Sequence, residues 1–213
     1  MAGTLTAELV LRVRRRVGDL AGVTWSDSTI RGYLSEAQTR LAASLHPGVL
    51  HDLSKVAGAT LTAALADYAL PSDFLRERLV LYKTLTAKRT PAEEYPLKTT
   101  GGLAGQSETK PHYWLWGGYL KFLVGTVTQT NGDTYELWYI LDPPALSASV
   151  DPVVARPLYG LLEEYAVGRC LEENGQPRVA AMILQRFEDL CRIINARCSG
   201  NVIHDGPLTD RRP

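Results

Sequence analysis

The chain is poor in the features that usually mark a secreted scaffold, a membrane span or a strongly charged binder. Its three cysteines, Cys170, Cys191 and Cys198, all fall in the C-terminal third and show no Cys-x-x-Cys spacing. An odd, unpaired set argues against a disulfide framework and is read as reduced thiols in a protein made in a cytoplasm. No stretch approaches the roughly 20 consecutive apolar residues of a membrane span. Glu8 and Arg12 interrupt the N-terminus before a signal-peptide core forms. A soluble product without a membrane partner is therefore expected. Net charge is missing too: 23 lysines and arginines balance 23 aspartates and glutamates. That excludes the bulk positive field with which a protein holds nucleic acid without sequence preference. It also removes one protection against association, which favours a chain that works inside an assembly.

Signatures of chemistry are equally scarce. The histidines His46, His51, His112 and His204 are scattered, and the five-residue offset from His46 to His51 puts them on different helical faces rather than side by side as metal ligands. Glu163-Glu164 and Glu172-Glu173 are adjacent pairs that diverge around a helix, unlike a Glu-x-x-His array that converges on a metal. No Gly-x-Gly-x-x-Gly follows a strand, and no Gly-Lys-Ser phosphate loop occurs. No catalytic residue, metal ligand or cofactor is assigned. The aromatics Tyr113, Trp114, Trp116, Tyr119, Phe122, Trp138 and Tyr139 would need an interleaved positive groove to stack bases, and only Lys110 and Lys121 accompany them. Core or subunit contacts explain them better.

What is present is helical order at both ends and aromatic alternation between. From Trp25 to Leu45, Ser26 and Asp27 supply acceptors for the first free N–H groups of a helix. Ile30, Tyr33, Leu34, Ala37, Leu41 and Leu45 then fall on one stripe, leaving Arg31, Glu36, Gln38 and Arg40 outside. His46-Pro47-Gly48 ends it. An earlier helix is expected from about Thr6 to Leu20, capped by Thr4 or Thr6, with Leu9, Val13, Val17 and Leu20 inward and Arg12, Arg14, Arg15 and Arg16 around the other faces.

Val49 to Gly58 is poorly patterned. Tyr68 to Phe74 is a turn in which Pro71 forces Leu70 extended, and Arg76 to Thr86 alternates as one strand. Residues 90–110 are rich in turn formers. His112–Trp116 and Tyr119–Val124 flank Gly117-Gly118, the signature of a tight hairpin. Asn131-Gly132 turns into a strand over Thr134–Ile140, which completes a small antiparallel sheet with that hairpin. Helices are expected again at about Pro152–Glu173, ending at Asn174-Gly175, and from Pro177 with Val179, Ile183, Phe187, Leu190 and Ile194 as its stripe. Beyond Ala196 the apolar content is too low for the chain to fold on itself. The expected fold is mainly α: an antiparallel bundle of two N-terminal and two C-terminal helices (1–58 and 145–197), a small antiparallel β insertion (59–144) and an extended C-terminal arm (198–213).

This order resembles the head-to-tail adaptor proteins of tailed bacteriophages. The carrying residues are Trp25-Ser26-Asp27 with Tyr33-Leu34 and Glu36-Ala37, Tyr68 to Phe74, the His112 to Phe122 hairpin, Glu136 to Tyr139 with Pro143-Pro144, and Leu158 to Tyr165. The similarity spans about Leu9 to Ala196. The resemblance implies a non-enzymatic virion protein, made in the bacterial host cytoplasm, in a ring of about twelve copies around the DNA channel below the portal. Its partners would be the portal, a stopper, tail-completion or tail-tube protein, and further copies of itself. By the same resemblance Cys198, Asn201, Val202, Ile203, His204, Asp205, Leu208, Arg211 and Arg212 form the portal-docking arm. Arg12, Arg15, Arg16, Thr99, Gly101, Gln106 and Trp116 are candidates for contacts between subunits or with the tail side. Two other readings stay open: a DNA-binding protein that sets Arg12 to Arg16 on phosphates, and a ligand carrier or enzyme with a pocket in the aromatic sheet.

Overall fold

The computed structural model describes residues 5–62, 67–91, 110–123 and 132–202. The chain divides into two compact units, with breaks between Leu53 and Ser54 and between Leu141 and Asp142. One unit is helical and built from both ends of the chain. The other is all β.

In the helical unit α1 spans Leu5–Val17, α2 Asp27–Ser44, α3 Tyr159–Glu173 and α4 Pro177–Val202. Helix α2 starts where its sequence says. Ser26 is extended, and its Oγ accepts the Thr29 N–H at 3.1 Å, satisfying one of the free donors of the first turn. Ile30, Leu34, Ala37 and Leu41 are fully buried. At the other end Asn195 of α4 closes the helix from outside: its Oδ1 accepts the His46 N–H at 2.7 Å, and its Nδ2 donates to the Ser44 carbonyl at 2.9 Å.

Gln38 departs from the periodic reading. It is 0% exposed. Its Nε2 donates to the Pro144 carbonyl at 3.3 Å, and its Oε1 accepts the Val153 N–H at 2.8 Å. Ser35 adds an acceptor for the Leu146 N–H at 2.8 Å. The segment 142–155 has no regular structure of its own, so its backbone groups need partners, and α2 supplies them through side chains.

Other helical expectations shift in all three remaining helices. Helix α1 stops at Val17, Gly18 turns at φ 77, and Leu20 is 64% exposed rather than inward. Thr6 lies within the helix, and the acceptor for its N–H is Asp151 at 2.9 Å. Helix α3 begins only at Tyr159, after a 3-10 turn over Arg156–Leu158. In α4 the inward stripe is Ala180, Phe187 and Cys191, while Val179 and Met182 face solvent. Gly168 of α3 meets this helix where a Cβ would come within 2.8 Å of Leu184.

The β unit holds two four-stranded sheets. One has the order β1-β8-β3-β4, from Ser54–Thr60, Thr134–Leu141, Phe74–Tyr82 and Leu85–Thr86, and every neighbour is antiparallel. The other has the order β2-β7-β6-β5, from Tyr68–Ala69, Tyr119–Leu123, His112–Trp116 and Lys88–Arg89, with β5 parallel to β6. Gly117 and Gly118 take φ 58 and 83, the two positive angles of a type I′ turn, and set Trp116 opposite Tyr119. The run read as one strand over Arg76–Thr86 is instead a hairpin, because Lys83 takes φ 57 and reverses the chain. Ser54–Thr60 is a strand that begins inside Val49–Gly58, the stretch read as unpatterned. A Cβ on Gly58 would lie 2.8 Å from the Tyr135 carbonyl, so glycine lets β1 sit close on β8. The expected single sheet of the hairpin plus Thr134–Ile140 does not form, since β8 joins β1 and β3 instead.

The fold class is therefore corrected. Helix takes 45% of the chain and strand 25%, an α and β protein rather than a mainly α bundle with a small insertion. The start of the expected arm shifts as well, because Cys198 to Val202 continue α4, while residues 203–213 lie outside the described residues.

Gln38→Ala would remove the partner of the half-buried Val153 N–H and one partner of the Pro144 carbonyl, and would leave space where a fully buried side chain stood. It should lower stability by about 1–3 kcal/mol in urea titration. An unchanged midpoint would contradict this role.

Candidate functional site

The most constrained polar cluster lies at the turn between α1 and α2. Asp19 accepts N–H groups from Val23 at 2.9 Å, Thr24 at 3.3 Å and Trp25 at 3.0 Å. The buried Arg14 guanidinium bonds Asp19 Oδ2 at 3.1 Å, the Trp25 carbonyl at 2.8 Å and Asp27 Oδ1 at 2.6 Å. Gly22 takes φ 69 beneath this guanidinium, and a Cβ there would sit 2.9 Å from Arg14 Nη1. Hydrogen bonds from the Trp25, Thr24 and Val23 amides, with the Arg14 charge, hold the Asp19 carboxyl below its ordinary value against the opposing effect of burial. The turn is locked from inside. Outside it shows solvent two apolar side chains, Leu20 and the 85%-exposed Val23.

The arginine run around that turn is mostly engaged within the chain. Arg12 pairs with Glu8 and with Glu163 at 3.1 Å. Arg14 is the buried clamp. Arg16 reaches the buried Glu164 at 2.6 Å, which also faces Arg186 at 3.7 Å. Arg15 is exposed, with no carboxylate partner among the described residues. A phosphate-binding face built on four free arginines is thus reduced to one.

Chemistry remains thin on the surface. Among the described residues no group of three or more His, Cys, Asp and Glu stands close enough to hold a metal. Burial pushes the Cys170 thiol up to about 12 and raises Cys191 as well, so neither offers a thiolate near neutral pH. A groove of about 440 Å³ runs between the end of α2 and α4, lined by Arg40, Ala43, Ser44, Phe187, Cys191 and Arg192 among others. Its two arginines are matched by Glu36 and Asp189, and the Cys191 thiol, beside Ser44 and Glu188, is held protonated by burial.

The residues assigned from sequence are dispersed. Trp116 is 62% exposed at the hairpin tip, beside the half-exposed Tyr119 and 6.1 Å, ring to ring, from Trp114. Cys198 is half-buried in α4, and Asn201 and Val202 lie in its last turn. Thr99, Gly101, Gln106, Ile203, His204, Asp205, Leu208, Arg211 and Arg212 lie outside the described residues. Of the described ones, Arg12, Arg15 and Arg16 share α1, Cys198, Asn201 and Val202 share the end of α4, and Trp116 lies in the β unit. Sequence reasoning missed the Arg14–Asp19 clamp. Its one local signal was an aspartate straight after the helix-ending Gly18, where a short acceptor can collect the amides of the following turn.

The family model described as SU10 adaptor protein matches residues 4–207, and the chain belongs to that family. It is a phage head-tail adaptor, a structural component of the virion that works with other virion proteins. No curated protein matches the chain. Among the described residues no helix is long and apolar enough to cross a membrane.

The Asp19 shift fixes the sign of an acid effect. A carboxyl lowered in the fold binds fewer protons than in the unfolded chain. Its stabilisation is complete above the unfolded value of about 4 and is lost as pH falls through the folded one. In urea titrations the wild-type protein should exceed Asp19→Asn in stability at pH 7, and the gap should shrink by pH 3. A gap equal at both values would contradict the clamp.

Proposed function

We propose that this adaptor forms a closed ring of about twelve copies that joins the portal to the tail or stopper and surrounds the DNA channel. The observation that carries this reading is the family match, which runs through both helical ends and the β unit and into the C-terminal residues. The helical unit packs side by side with its neighbours. Arg15, Trp116 and the apolar residues on the locked turn between α1 and α2 are free to meet another subunit or the tail side. The arm beyond Val202 docks on the portal, where Ile203 and Leu208 gain apolar contacts that offset the entropy of ordering.

DNA passes through such a ring without specific binding. The internal ion pairs of Arg12, Arg14 and Arg16 support this, since charges already neutralised within the chain release few counterions from a duplex. The DNA-binding alternative requires those arginines to be free.

Mass photometry of the protein mixed with its portal should show a discrete complex with several copies per portal. A chain truncated after Val202 should lose it while keeping the wild-type melting temperature. No complex with the full-length chain, or the same complex after truncation, would overturn the reading. Affinity for short duplex DNA should stay negligible at low salt and unchanged in Arg15→Ala.

A further inference from the structure

The helical unit leaves two complementary features open, one at each end of α2. Before its first residue stands the turn of residues 18–25, locked from inside by Arg14 and Asp19. This turn shows solvent Leu20, 64% exposed, and Val23, 85% exposed. Arg15 precedes it in the last turn of α1, exposed and without a carboxylate partner among the described residues. Beside the last turn of α2 lies the groove of about 440 Å³ against α4. Ala43 is exposed in it, next to the nearly buried Phe187 and Cys191. On its rim Arg40 and Arg192 are spent on Glu36 and Asp189. Glu188, on the same rim, is exposed and has no ion-pair partner among the described residues.

The fold thus presents a rigid apolar knob beside an unspent cation, and a groove with an apolar floor beside an unspent carboxylate. Within one copy the two cannot meet, because α2 holds them apart by roughly the length of its 18 residues, about 27 Å. Between two copies they can.

We infer that Leu20 and Val23 of one copy seat in the groove between α2 and α4 of the next, with Arg15 set against Glu188; this rests on the adaptor reading. Each copy gives one surface and receives on the other, a heterologous contact of the kind that closes into rings. The knob is fixed before it docks, so little entropy is lost when it seats. The undescribed parts of the chain answer the groove less well. Residues 1–4, 63–66 and 124–131 contain no lysine or arginine to meet Glu188, and 92–109 sets one cation, Lys98, against Glu93, Glu94 and Glu108. Residues 203–213 carry Arg211 and Arg212. That arm is assigned to the portal, and in the groove it would leave Leu20 and Val23 of every copy in solvent.

Ala43→Cys carrying a thiol-directed photoreactive label reads the occupant directly. A mixture of labelled chains and isotope-marked chains is bound to the portal and irradiated, and the adducts are mapped by mass spectrometry. They should fall on residues 20–23 of an isotope-marked copy. Adducts on 203–213, on any other part of the chain or on a different protein would overturn the inference. The pair Leu20→Ser with Val23→Ser, and separately Ala43→Arg, alter only exposed side chains. Each should keep the melting temperature of the free protein and weaken addition of further copies to the portal about tenfold by mass photometry. Arg15→Glu and Glu188→Arg should each weaken it about threefold, and the two combined in one chain should restore it. Normal assembly of either apolar variant, or no rescue by the charge swap, would overturn the contact. Failure of the wild-type chain to bind its portal would instead remove the adaptor reading beneath it.

Discussion

The helical unit depends on α2 being buried along its length while it still serves as a hydrogen-bonding partner. Ile30, Leu34, Ala37 and Leu41 give it an apolar stripe with no exposed surface, and Gln38, buried beside them, clasps the returning segment at Pro144 and Val153. A buried amide tolerates such a site only with both ends satisfied. The clasp therefore fixes the path of residues 142–155, which lack any ladder of their own, and with it the point from which α3 and α4 are laid down. Asn195 repeats the device where α2 ends, bridging Ser44 and His46.

The same economy shapes the surface. A 213-residue chain with no net charge cannot rely on a long-range field to find its partners. It offers instead rigid local features: a turn held by Arg14 and Asp19 beneath Leu20 and Val23, and an aromatic pair across a glycine turn. Each is ordered before it meets anything, which lowers the entropic cost of docking. Ion pairing of Arg12 and Arg16 with α3 carboxylates spends their charge inside the fold.

Features encoded by neighbouring residues could be read from sequence. The Ser26 cap, the Gly117-Gly118 hairpin and the Asn174-Gly175 stop each need only a few adjacent side chains, and each appears where expected. Features set by distant partners could not. Gln38 and Arg14 look like outer-face residues by periodicity and become interior only because Val153 and Asp19 meet them. Ser54–Thr60 carries small residues with no alternation, so its strand exists because β8 pairs with it. The turn at Lys83 is hidden because a lysine, rather than a glycine, takes the positive φ. The resulting undercount of strands turned an α and β fold into an expected bundle. Of the candidate site, the hairpin tip with Trp116 was legible, whereas the clamp behind Leu20 and Val23 was not.

The most direct measurement is an electron cryo-microscopy map of the intact virion neck. The account requires density for this chain as a closed ring between portal and tail, with its C-terminal residues lying on the portal. A neck without the chain, or a chain whose terminus folds back on its own helices and touches no other protein, would contradict it.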